Sequence, residues 1–413
     1  METYKKLSSV AMTSENPLWK QMTKRERDMY TRGDDVRSPF ARDYTRILHS
    51  LAYRRLKHKT QVFFNAAGND HICTRIEHVS HVDSVANTIA NYLGLNEELT
   101  KSIAVAHDLG HAPFGHLGES IISKLSEKYL NEKFWHEKNG VYLVDKVELL
   151  EDNEYNLLNL NLTYAVRDGI ISHCGEIDQN GIKPRTDYFE LEKFIEPGLY
   201  QAATWEGCVV KLSDKIAYLG RDIEDAIRLG YLNNEQKNML RDMARINDEK
   251  AVNTTVIMHN MIIDLCKNSS IENGLSLSET MHQQLLTIKK FNYDYIYNNN
   301  RLKPFENYSK LIINEIFNDL MSYYKGEDTI NYLDKIKFNK RKFVEGFATW
   351  IVQFCDIDDS YPDWAKRDDK RCKNEKIYGS LSDEKTYIRA VIDFISGMTD
   401  VYAINSFEEL LDC

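Results

Sequence analysis

The sequence predicts an all-α protein, on three observations. Most long segments place apolar residues at helical spacing. Proline is scarce, seven in 413 residues, and the apolar–polar alternation of a half-buried strand is hard to find. The elements follow in order. In HVDSVANTIANYLGL, Val82, Val85, Ile89 and Leu93 fall on one helical face. EELTKSIAVAHDLG opens with acidic residues, which the helix dipole favours in a first turn. TWEGCVVKLSDKIAYLGRDIEDAIRLG reads as a long helix up to Gly230. LIINEIFNDLMSYY and YIRAVIDFISGMTDVYAINSFEELL read as further helices. Residues 298–309 and the highly charged 356–376 read as loops; the second is a solvated surface or a loop able to fold over a site.

Composition narrows the function classes. A chain with 42% hydrophobic and 28% charged residues is an ordinary globular protein. Its formal charge of −10 argues against bulk attraction to nucleic acid or an anionic membrane, although a local basic pocket is compatible with it. The seven cysteines are scattered without a CxxC pair, which suits a reducing cytosol. The first residues lack a signal-peptide core, and no run approaches the roughly 20 apolar residues of a membrane span. A cytoplasmic location is expected.

The stretch AHDLGHAPFGHLGE, residues 106–119, carries three of the twelve histidines. An apolar helix runs into His107 and Asp108, and Gly110 and Pro113 end it within a few residues. Neighbours on a helix point about 100° apart, so this pair can share one ion only with ligands from elsewhere. His78 and Asp214 are the candidates. Two imidazoles and two carboxylates suit Mn, Fe, Co, Ni, Zn or, less typically, Mg, with positions open for water and substrate. An isolated His-Asp pair is otherwise an ordinary helix end. Asp214, Tyr218 and Asp222 step by four and share one helical face.

Six ordered segments give this constellation a context: 37–63, 74–82, 106–119, FWHEKNG at 134–140, SDKIAYLGRDIEDAI at 213–227 and 389–403. Together they resemble the HD-domain metal-dependent phosphohydrolases, and within them the deoxynucleoside triphosphate triphosphohydrolases of the dGTPase or dNTPase branch. The resemblance implies an HD-domain helical fold with flanking helices. It places an N-terminal arm over 1–36 and one α-helical unit over 37–405. That unit has an HD core at about 70–230 and a C-terminal helical part at about 231–405, followed by a tail at 406–413.

It also implies hydrolysis of dGTP or several dNTPs to deoxynucleoside and tripolyphosphate, by attack of metal-held water on the α-phosphorus. His78, His107, Asp108 and Asp214 would hold the divalent ion. His111, His116, Glu119 and His136 would be catalytic, with His116 handling the proton and Glu119 orienting its ring. Gln61, Arg75, Lys215, Tyr218, Asp222 and Arg389 would contact substrate. Arg75 and Arg389 would face phosphate, Tyr218 would face the sugar and Asp222 its 3′-hydroxyl. Lys215 stands where many bacterial relatives carry Asp, which blurs the branch. A second dNTP as activator and a homo-oligomer, from dimer to hexamer, are further implications. The competing readings are another HD phosphohydrolase, such as a 5′-nucleotidase or cyclic-nucleotide phosphodiesterase, and a non-catalytic nucleotide- or nucleic-acid-binding regulator.

Overall fold

Local signals set where the helices begin and end. The structure, a computed structural model, describes residues 5–28, 34–64, 71–174, 178–245, 254–337 and 342–411. Thr74 and Glu77 form a reciprocal capping box that starts the helix Arg75–Leu93. Gly94, at φ +80°, ends it in the left-handed conformation that favours glycine. Asn96 then caps Glu97–Ala106 by accepting from the Leu99 backbone N–H. Thr204 does the same for Trp205–Arg228 through the Gly207 N–H. That long helix stops short of Gly230, whose φ is +68°.

The chain folds as two compact units of interleaved segments. The first holds the described residues of 1–48, 61–108 and 162–304; the second holds those of 49–60, 109–161 and 305–413. The boundary cuts AHDLGHAPFGHLGE between Asp108 and Leu109. In the first unit, Arg75–Leu93 packs against Glu97–Ala106 and Trp205–Arg228, with Tyr164–Ser172 against the latter two. The stripe expected from spacing is the buried one: Val82, Val85, Ile89 and Leu93 are at most 4% exposed. Gly169 allows the close approach of Ile103, whose side chain a Cβ would meet at 2.6 Å.

In the second unit, Gly115–Leu130 packs on Glu384–Ser396. An aromatic core of Phe347, Trp350, Phe354, Tyr378 and Phe394 lies nearby in sequence and in contact. Phe114 precedes the Gly115 helix at φ +65°, a strained position for a side-chain residue. Asp400 supports it, its carboxylate accepting from the Phe114 N–H at 2.8 Å and from the Thr60 N–H at 2.9 Å.

The all-α class holds, with one small addition among the described residues: an antiparallel hairpin pairing Leu149–Glu151 with Leu157–Asn159. Both expected loops are partly helical. Residues 298–309 contain the start of the helix Lys303–Ser322, because Pro304 sits in a first turn, where its missing N–H costs nothing. Residues 356–376 contain Asp363–Arg371, which Pro362 introduces. Ala365 of this helix is fully buried, and Trp364 Nε1 donates to Asp334 at 2.7 Å, so tertiary contacts order a segment whose charge reads as solvated. The C-terminal stretch is two helices, Glu384–Ser396 and Asp400–Leu411, parted at Gly397. Among the described residues, no helix is long and apolar enough to cross a membrane.

Candidate metal centre and histidine cluster

Three helices of the first unit bring His78, His107, Asp108 and Asp214 together. His78 lies in the first turn of Arg75–Leu93, His107 is the C-cap of Glu97–Ala106, and Asp214 is in the middle of Trp205–Arg228. His78 Nε2 lies 2.9 Å from Asp214 Oδ1 and 3.8 Å from Asp108 Oδ2. His107 Nε2 lies 3.5 Å from Asp108 Oδ1 and 3.8 Å from Asp214 Oδ1. His107 Nδ1 donates to the Ala104 carbonyl at 2.7 Å, which leaves Nε2 as the lone-pair nitrogen. That Nε2 is buried and has no hydrogen-bond partner among the described residues.

This set fits a divalent ion. A buried lone pair without a donor, facing two carboxylates within 4 Å, is costly unless a cation sits among them. Ligand atoms of His78, His107 and Asp214 all lie within 4.8 Å of one another. Burial opposes charge on both His78 and Asp214, yet their mutual hydrogen bond prevails. His78 is shifted up and Asp214 down.

The substrate-side residues predicted in this unit are all near the Asp214 or Arg75 helix. Arg75 is buried and engaged: Nη1 donates to Asp108 Oδ2 at 2.9 Å and Nη2 to the Gln61 carbonyl at 3.1 Å. Here its guanidinium braces a metal-side carboxylate. Gln61 is 7% exposed, and its side-chain oxygen is buried with no partner among the described residues. Asp222 accepts from the Tyr297 hydroxyl at 2.6 Å; burial raises its pKa to about 6 against that bond. Tyr218 lies one turn before it, half-buried. Lys215 donates to Asp178 at 2.9 Å, and Lys289 reaches the same oxygen at 2.8 Å. Burial raises the Asp178 pKa, but the two lysines outweigh it and hold the carboxyl low.

The second unit gathers the other histidines. His136 Nδ1 lies 3.1 Å from Glu119 Oε2, and the His136 backbone N–H donates to Glu119 Oε1 at 3.0 Å. His116 Nδ1 lies 3.3 Å from the same carboxylate. His111 stacks on His136, with ring centroids 3.8 Å apart. Burial opposes ionisation of Glu119, but the charge of His136 and both histidine hydrogen bonds hold it well below the usual carboxylate range. Gly110 makes the arrangement possible: a Cβ there would lie 2.0 Å from the His136 carbonyl oxygen. Lys59 Nζ, buried, donates to the His111 carbonyl.

Glu119 is shared, and it fixes His136 more firmly than His116, whose side chain is 67% exposed. Arg389 is half-buried and ion-paired with Glu132 rather than presented as a free phosphate clamp.

The sequence reading did not select Lys289, Tyr297 or His173. Lys289 lies on the helix Glu279–Asn292 and Tyr297 ends the wider π turn Tyr293–Tyr297 that follows it, so the 3.6-residue period does not link the two. His173 follows the Tyr164–Ser172 helix as His107 follows Glu97–Ala106, an apolar helix ending in a histidine.

Residues 75–219 match the HD domain family. Several curated relatives carry the name deoxyguanosinetriphosphate triphosphohydrolase-like protein. The one from Caldanaerobacter subterraneus subsp. tengcongensis is 33% identical over 376 residues, covering 91% of this chain and 86% of the relative. One from Clostridium perfringens is 32% identical over 381 residues, covering 91% and 88%. One from Bartonella henselae is 30% identical over 426 residues, covering 98% and 96%.

Proposed function

This chain belongs to the deoxyguanosinetriphosphate triphosphohydrolase-like family of HD-domain proteins, and we propose that it hydrolyses deoxynucleoside triphosphates to deoxynucleoside and tripolyphosphate. The observation that carries the proposal is the convergence of His78, His107, Asp108 and Asp214 around the donorless His107 Nε2. A divalent ion bound there would lower the pKa of water and neutralise charge building on the phosphoryl oxygens.

In this reaction the water oxygen bonds to the α-phosphorus, the bond from that phosphorus to O5′ breaks, and O5′ leaves with a proton. Arg75 donates to Asp108 and holds that carboxylate beside the two histidines. Lys215 and Lys289 supply ammonium groups for the polyphosphate, in place of the Asp178 carboxylate they hold here. Asp222, set by Tyr297, accepts from the sugar hydroxyl, while Tyr218 on the same face leaves no room for a 2′-hydroxyl. The Glu119-held imidazoles, His116 first among them, form the proton-handling group of the reaction.

The test is direct. Purified protein is incubated with each dNTP and Mn2+ or Mg2+, first singly and then in mixtures, and the products are separated by anion exchange. Deoxynucleoside with intact tripolyphosphate supports the proposal. Stepwise release of orthophosphate, or inertness with every mixture, overturns it. Turnover only in mixtures identifies a dNTP-activated enzyme.

A further inference from the structure

His116, Glu119 and His136 meet at one oxygen. His116 Nδ1 lies 3.3 Å and His136 Nδ1 3.1 Å from Glu119 Oε2. Glu137 Oε2 comes within 3.4 Å of the same His136 nitrogen, so a second carboxylate stands close by. One ligand atom from each of His111, His116, Glu119 and His136 lies within 4.8 Å of the others. All of these residues belong to the second unit and none to the His78 set.

The spacings favour an ion over protons. A charge-assisted N–H···O bond is about 2.7–2.9 Å long, and every one of these contacts is longer. An imidazolium of His136 between Glu119 and Glu137 would draw their oxygens closer than 3.1 and 3.4 Å. Ligands about 2.0–2.1 Å from a tetrahedral Zn2+ stand about 3.3 Å apart, which is the spacing found. His111 stacks on His136 with the rings 21° from parallel, so their in-plane lone pairs cannot converge on one ion. His111 therefore backs the ring, and the ligands are three. Three protein ligands leave a fourth position for water. The His116 side chain is 67% exposed, which gives an ion its way in, while Glu119 and His136 are 14% and 13% exposed. Two imidazoles and a carboxylate hold Zn2+ more tightly than Mg2+ or Mn2+.

We propose that His116, Glu119 and His136 form a second metal site, which takes Zn2+ and switches hydrolysis off. An ion there occupies the Nδ1 lone pairs of both imidazoles and the carboxylate that orients them. Each ring then carries its proton on Nε2, has no nitrogen left to accept another, and releases that proton far less readily than an imidazolium does. The inhibitory role rests on the hydrolytic reading above; the site itself does not.

The experiment titrates metal-free wild type and His116→Ala with Co2+, whose visible bands are strong in four-coordinate surroundings and weak in six-coordinate ones. Wild type should bind two Co2+, one at the His78 centre and one with strong bands. His116→Ala, whose exposed position spares the fold, should bind the first normally. It should bind the second about 100-fold or more weakly, since even outer-shell partners of a metal are worth about 10- to 100-fold. Mn2+-loaded wild type given one further equivalent of Zn2+ should lose about 100-fold in kcat, the lower end of a general acid or base contribution. Metal analysis should find its Mn2+ retained.

A single Co2+ in wild type, or a second one that His116→Ala binds as tightly, would overturn the site. Full turnover with Zn2+ bound would overturn the inhibitory role. So would loss of turnover together with Mn2+, which places the Zn2+ at the His78 centre. If wild type hydrolyses no dNTP with Mn2+, the hydrolytic reading falls by itself, and the Co2+ count still decides the site.

Discussion

His78, His107, Asp108 and Asp214 come from three helices, with His78 and Asp214 136 positions apart, and they gather inside the first unit, three of them buried and the Asp214 side chain 13% exposed. His111, His116, Glu119 and His136 come from the single stretch 111–136 of the second unit, and they grade from a buried His111 to an exposed His116. The first set is assembled by helix packing, the second by a turn and the starts of two short-range helices. The difference suits their chemistry. Charges held around an ion must be excluded from water to be worth their desolvation, whereas a group that exchanges protons needs access.

The largest expected effect comes from breaking the buried set. His107→Ala or Asp214→Ala should abolish metal binding and reduce turnover by about a thousandfold or more, as metal-activated chemistry is lost outright. Metal content measured on the purified variants checks this, and full retention of metal would sink the assignment.

Breaking the second set should separate binding from chemistry. His116→Ala should keep its metal and lower kcat by about 100- to 10,000-fold, the range for a lost general acid or base. Single-turnover kinetics beside metal analysis decide it. Unchanged turnover would move the proton-handling role to His136, which Glu119 holds at shorter range.

Each unit also buries a carboxylate whose pKa burial raises from 3.8 to about 6: Asp222 in the first, Asp393 in the second. In Asp393 burial prevails over the opposing Arg389 charge and the Tyr378 hydrogen bond, 2.8 Å long. The folded chain thus holds this proton more tightly than the unfolded chain. The stability so gained is complete below about pH 4 and is lost as pH rises through about 6, amounting to about 3 kcal/mol. Asp393→Asn should flatten that part of a stability–pH curve measured by urea unfolding. A curve as steep as wild type would place the titration elsewhere.

The smallest expected effect concerns substrate affinity. Asp178 occupies Lys215 and Lys289 with a half-exposed carboxylate. Asp178→Asn should lower KM for a dNTP by about fivefold with little change in kcat, since it removes only a competitor for the lysines. Steady-state kinetics would show it, and a raised KM would mean that Asp178 positions the lysines instead.

Much of this was legible in the sequence. The apolar stripe of Arg75–Leu93 and the shared face of Asp214, Tyr218 and Asp222 follow from the 3.6-residue period, and the helix end near His107 follows from Gly110 and Pro113. The His-Asp pair gained meaning only from His78 and Asp214, and the family resemblance joined them. The helix Asp363–Arg371 was not legible, because its nine residues are mostly charged and its stability lies in contacts such as Trp364 with Asp334. His173 was missed for a related reason. A single histidine after an apolar helix carries no period, and what marks it is a ring contact with His107, 66 residues earlier in the chain.

The sequence by itself determined the helices that carry an apolar stripe and the residue types able to hold a metal and move protons, since these depend on neighbours within a few positions. Tertiary structure alone decided which side chains share a carboxylate. It paired Arg75 with Asp108, Tyr297 with Asp222 and two lysines with Asp178, and it gave His136 the firmer claim on Glu119. The physical reason is that hydrogen bonds and charge pairing act over a few ångströms, and only packing brings residues distant in the chain to that range.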